Sequence, residues 1–94
     1  MRVKWARRAL REQDEVFEWI VTGNPQAAGE VIDRMRAATR LLAGNPRMGR
    51  PGRIAGTREL VVTRTPYVVV YRIGPEQVEI LAVIHHAREW PGRL

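Results

Sequence analysis

Cysteine and serine are both absent from the 94 residues. Without cysteine there is no disulfide framework and no thiolate nucleophile, and a reducing cytoplasm is the expected location. Without serine, a Ser/His/Asp arrangement is excluded. Long hydrophobic runs are missing too. The longest, Tyr67 to Tyr71 and Ile80 to Ile84, fall far short of the ~20 apolar residues a membrane-spanning helix needs. The N-terminus, Met1-Arg-Val-Lys-Trp-Ala-Arg-Arg8, lacks an apolar core, so neither a secretory signal nor a membrane partner is expected. Lysine occurs once, at Lys4, which leaves fifteen arginines among the sixteen basic residues.

Guanidinium groups make bidentate bonds to phosphate and carboxylate that an ammonium cannot copy. Their distribution is uneven. Residues 1–43 carry eight bases and six acids, and residues 65–94 carry three of each. Between them, residues 44–64 carry five bases (Arg47, Arg50, Arg53, Arg58, Arg64) and one acid (Glu59), so +4 of the total +6 lies there. This stretch opens with Gly44-Asn-Pro46 and contains Gly49-Arg-Pro-Gly52. An arginine-rich Gly/Pro connector is a natural grip for an anionic or acidic partner, although basic loops are also often mere solvated charge. It is not a phosphate loop, because it lacks the preceding strand and the Lys-Ser/Thr ending.

The length fits one domain spanning 1–94, with 86–94 as an aperiodic tail. At this size a fold buries roughly 60–65% of its unfolded surface, so stability is expected to be modest. Arg2 to Trp5 alternates polar and apolar and reads as a short strand. From Arg7 to Val21, Leu10, Val16, Phe17, Ile20 and Val21 recur at helical spacing, with Glu12, Asp14, Glu15 and Glu18 on a solvated face. Asn24-Pro25 caps and opens a second helix running to about Ala43, with Ala28, Val31, Ile32, Met35, Thr39 and Leu42 on its apolar stripe. Gly44 is the expected helix stop. Three strands follow, at Glu59 to Arg64, Tyr67 to Ile73 and Val78 to His85, separated by Thr65-Pro66 and Gly74-Pro-Glu-Gln77. On the last, Val78, Ile80, Ala82 and Ile84 are expected to meet the helices. The result is an α+β order, β-α-α-β-β-β, with a helical hairpin on one face of a small, mainly antiparallel sheet.

Few residues carry obvious chemistry. His85 and His86, adjacent on a strand, should point to opposite faces and cannot share a metal; no metal or cofactor is expected. One of them is either a general acid–base for RNA cleavage or a hydrogen-bonded strand-end histidine. Glu59 reads as half of a structural Arg–Glu pair. Trp90 is either a contact anchor or a residue folded back onto the core.

Taken in order, Asn24-Pro25 with Ala27-Ala28, Leu41-Leu42 with Asn45-Pro46, Gly49-Arg50, Gly56-Thr-Arg-Glu-Leu-Val-Val62, Pro66-Tyr-Val-Val-Val-Tyr-Arg72, Val78 to His85 and Arg88 give a chain that resembles the RelE/ParE superfamily of toxins from bacterial type II toxin–antitoxin systems. The resemblance spans nearly the full length and implies the same β-α-α-β-β-β fold. RelE-like members resemble ribosome-dependent messenger RNA endonucleases, which place basic residues on the first meander strand and an arginine after the aromatic that opens the second. Those positions here hold Glu59, Val61 and Val68, and only Arg88 is retained. A valine cannot offset phosphorane charge, and losing one such group typically costs about 10²–10³ in rate. A nuclease would have to draw on Arg58, Arg64, His85 and Arg88. The chain looks closer to the ParE branch, whose members poison DNA gyrase without chemistry of their own. That likeness implies a cognate antitoxin and gyrase as partners, with Arg47, Arg50, Arg53, Arg58, Arg88 and Trp90 as candidate contacts; the ribosome with its messenger RNA is the alternative target.

Overall fold

In the computed structural model, which describes residues 1–94, the elements are β1 (Arg2–Trp5), α1 (Arg7–Val21), α2 (Pro25–Leu41), β2 (Arg50–Pro51), β3 (Arg58–Val61), β4 (Tyr67–Ile73) and β5 (Gln77–His85). They form an α+β fold. Five strands lie in the order β1-β5-β4-β3-β2, and two helices pack on one face. Only β1 and β5 run parallel, with Val3 opposite Val78; the other neighbours are antiparallel. No helix is long and apolar enough to cross a membrane.

Local chemistry accounts for most boundaries. The Asn24 side chain accepts a bond of 3.1 Å from the Ala27 N–H, and Pro25 follows where no N–H is missed. At the other end, Gly44 does not adopt the left-handed conformation expected of a glycine stop. The helix unwinds through turns instead, with the Asn45 N–H on the Leu41 carbonyl at 3.1 Å. Strand β3 stops at Val61 rather than Arg64, because Thr63 and Arg64 form the turn into β4 and Arg64 sits at φ 63°.

The main core lies between helices and sheet. It takes Ala9 and Val16 from α1, Ile32, Met35 and Leu42 from the second helical segment, and Leu60, Tyr71, Val78 and Ile80 from the β3–β5 region. Fully burying one such aliphatic side chain stabilises by about 1.5–3 kcal/mol relative to exposing it.

Two expectations fail here. The buried stripe of α1 runs through Ala9, Gln13 and Val16. Leu10 and Phe17, each one residue further round the helix, remain 47% and 40% exposed. Polar Gln13 is tolerated on the stripe because its amide donates to Met35 Sδ at 3.9 Å. The second failure is in β5. Tyr71 faces Ile80 but Val70 faces Ala82, so Leu81 is an extra residue, a β-bulge. Beyond it the alternation inverts. Val83, not Ala82 and Ile84, meets the helices, while Ala82, Ile84 and Val70 form a second apolar cluster on the opposite face.

The left-handed Arg64 gives a direct stability test. A residue with a Cβ loses roughly 1–2 kcal/mol in that conformation, whereas glycine does not. Arg64→Gly is expected to be neutral or to stabilise by up to about 1 kcal/mol in urea denaturation, and Arg64→Val to destabilise. Equal losses in both variants would contradict this assignment.

Candidate functional site

The connector between α2 and β3 is tied to the sheet by side chains of β4 and β3 and by a short strand of its own. From β4, the Tyr71 hydroxyl donates to the Pro46 carbonyl at 2.6 Å and accepts from the Gly49 N–H at 2.9 Å. Only glycine fits at position 49, since a Cβ there would lie 2.6 Å from that hydroxyl and 2.7 Å from the Glu59 carbonyl. Arg58 donates to the Gly49 carbonyl at 2.6 Å, so its guanidinium is engaged in holding this loop. Residues Arg50–Pro51 then add the short edge strand β2, with Arg50 opposite Glu59.

Glu59 organises what lies outside. It is 3% exposed. Its Oε1 accepts from Arg50 Nε and Nη2 at 3.2 and 3.0 Å, and from Arg53 Nη2 at 3.3 Å. Its Oε2 accepts from the Arg53 backbone N–H at 2.8 Å and from Arg53 Nε at 3.1 Å. Burial by itself raises the pKa of this carboxyl, but the Arg53 N–H and the two guanidinium groups outweigh it and hold the group below its ordinary value. The structural Arg–Glu pair expected of Glu59 therefore recruits two arginines from the connector.

The tail closes over this arrangement. The Trp90 indole packs against the Val70, Ala82 and Ile84 cluster, and the Arg53 guanidinium lies 3.6 Å above its ring centroid. Such a stack contributes about 0.5–2 kcal/mol. Trp90 is thus folded back, onto the face of the sheet away from the helices. Its Nε1 is buried without a hydrogen-bond partner.

At the far end of β4 and β5 the arrangement differs. Tyr67 meets His85 edge-on, with centroids 5.5 Å apart, and His85 stacks on His86 at 5.0 Å and 18°. The two imidazoles do not diverge as a continuing strand would make them, because the strand ends at His85 and the His86 N–H is turned onto the Pro66 carbonyl. The Ala87 N–H donates to His85 Nδ1 at 3.1 Å. Tyr67, His85 and Arg88 border a cavity of about 60 Å³ against Glu12, Glu15 and Trp19 of α1. Glu12, read from sequence as solvated, accepts the Val83 N–H at 3.0 Å, beyond Ile80, the last β5 residue that β1 pairs.

The sequence-derived residues are therefore dispersed. His85 and Arg88 share one cavity. Arg64 lies beside Arg34 and Leu41, and Arg58 beside Arg47 and Thr57, in two other hollows. Of the candidate contacts, Arg50, Arg53, Arg58 and Trp90 are engaged within the chain. The side chains of Arg47 and Arg88 are not. No group of three or more His, Cys, Asp or Glu side chains is placed to hold a metal.

Residues 3–90 match the family model described as the ParE toxin of the type II toxin–antitoxin system parDE. The chain belongs to the ParE family of toxins. A protein of Sinorhizobium fredii, Y4kP, named only provisionally as a toxin, is 47% identical over 96% of this chain and 93% of its own length. Toxin RelE2 of Caulobacter vibrioides is 36% identical over 92% of this chain and 96% of its own. A chain from the chromosomal ParDE toxin–antitoxin system of P. aeruginosa superimposes with a TM-score of 0.82 at 25% identity, covering 90% of this chain and 95% of that one.

In this ParE-family toxin, Glu59 is the residue whose loss should be felt first. Glu59→Gln keeps the shape but leaves two guanidinium groups with a neutral partner. Both arginines are about half exposed, so water takes up part of the deficit. The expected loss is about 1.5–3 kcal/mol in urea denaturation at neutral pH. A loss below about 0.5 kcal/mol, the size of an ordinary surface substitution, would show the network to be ornamental.

Proposed function

We propose that this toxin acts by binding DNA gyrase and arresting growth in the cytoplasm, and that a cognate antitoxin holds it inactive. The observation that carries this reading is the dispersal of the groups a phosphodiester-cleaving site would need. Arg58, Arg64 and the His85–Arg88 pair border three separate hollows, so no single phosphate could meet them together. The positions where a RelE-like nuclease places cations hold Glu59, committed to two arginines, and Val61 and Val68, which offer no hydrogen bond. Gyrase poisoning needs only a surface. Membership of the ParE family and the likeness to the ParDE system support both the target and the antitoxin.

Messenger RNA cleavage on the ribosome is the second reading, favoured by the 36% identity to a relative named RelE2. One pair of assays separates the two. Purified toxin mixed with gyrase and relaxed plasmid is expected to suppress supercoiling and accumulate cleaved DNA, while transcripts on programmed ribosomes stay intact. Cleavage in the ribosomal A site with normal supercoiling would overturn the proposal in favour of the second reading.

A further inference from the structure

The cavity between α1 and the ends of β4 and β5 offers uncommitted hydrogen bonding of one kind. The Tyr67 hydroxyl makes no hydrogen bond within the chain, and neither does the Arg88 guanidinium. Tyr67 remains a donor at neutral pH, because burial raises the pKa of its phenol and the nearby Arg88 charge only partly opposes this. Since the Ala87 N–H occupies Nδ1 of His85, a neutral imidazole carries its proton on Nε2, which also has no partner. Three donors thus border one recess.

The two carboxylates beside them already have partners, closely for Glu12 and loosely for the exposed Glu15. Glu12 is held by the Val83 N–H and by Arg8 at 3.4 Å, and Glu15 is paired with Arg11 at 3.5 Å. Val16 and Val83 give the recess apolar walls, and Trp19, 77% exposed, stands at its rim. The lining side chains without a partner in the chain are thus donors, and unpaired donors favour an oxyanion over a cation.

From this geometry we infer that Tyr67, His85 and Arg88 form a receptor for one carboxylate side chain of an acidic peptide, with the indole of Trp19 covering the peptide backbone. A cavity of about 60 Å³ admits a planar carboxylate, whereas a phosphodiester must bring its flanking sugars. The Glu12 and Glu15 carboxylates along the rim repel a polyanion more than they repel a single charge. The site is separate from the Glu59 network, which lies on the other face of the sheet. It presumes nothing about whether gyrase or the ribosome is the target.

The test uses isotope-labelled full-length toxin followed by NMR. The probes are a capped peptide of alternating glutamate and glycine, inorganic phosphate, and an oligothymidylate of equal charge. The peptide is expected to shift the ring signals of His85 and Trp19 and the Arg88 amide. Tyr67→Phe removes a hydroxyl that bonds nothing in the fold, and Arg88→Gln changes an exposed side chain, so both variants should fold normally. Each is expected to weaken the peptide about tenfold, the loss of a hydrogen bond to a charged group, while Arg36→Gln, an exposed position away from the recess, leaves it unchanged. The inference is overturned if the peptide moves none of these signals, or if Tyr67→Phe binds it as tightly as the parent. It is equally overturned if phosphate or oligothymidylate shifts those signals and the peptide does not.

Discussion

One buried carboxylate decides how the basic half of this toxin is arranged. Glu59 gathers Arg50 and Arg53 from a connector that would otherwise be a repelling run of positive charge. Through Arg53 it also positions the cation above Trp90, and so fixes where the tail lies on the sheet. Tyr71 performs the complementary task on the helix side of the sheet, clamping the same connector at Pro46 and Gly49. Charge that looks free in the sequence is largely spent inside the fold. The cluster's net excess is real, but most of its donors already have acceptors.

The bulge at Leu81 divides the sheet into two working faces. Before it, β5 sends Val78 and Ile80 to the helices; after it, Val83 takes that direction and Ala82 and Ile84 turn away. The second apolar cluster so created is what Trp90 covers. Past Ile80, where β1 no longer pairs with β5, the Val83 N–H goes to Glu12, which ties α1 to the strand ends beside the recess at Tyr67 and His85.

Much of this was legible beforehand, and the failures have physical reasons. The second helix was legible because Asn24-Pro25 and an apolar stripe agree on it, and β4 because it is apolar on both faces. The inversion in β5 was not, since a strand buried on both sides fits either register equally well. Leu10 and Phe17 outbid Gln13 on hydrophobicity alone, yet a thioether contact and close packing placed the amide inside. The two residues of β2 are too few to show a period. Sequence drew attention to the connector for its arginines and read Glu59 as half of an Arg–Glu pair, but not that Arg50 and Arg53 both converge on it, because that depends on the pairing of β3 with a strand too short to show a pattern. For Tyr67, nothing in a run of strand residues signals an unbonded hydroxyl.

The dependence of this face on Glu59 can be read at the atom concerned. A carbon-detected NMR titration of the Glu59 carboxyl should give a midpoint below 4.5, the ordinary value for this group. Because the folded pKa is the depressed one, the ion-pair contribution is fully present above the unfolded pKa and is lost as pH falls through the folded one. A midpoint at or above the ordinary value would mean that the arginines are not gathered by this carboxylate, and the account of the connector would fail with it.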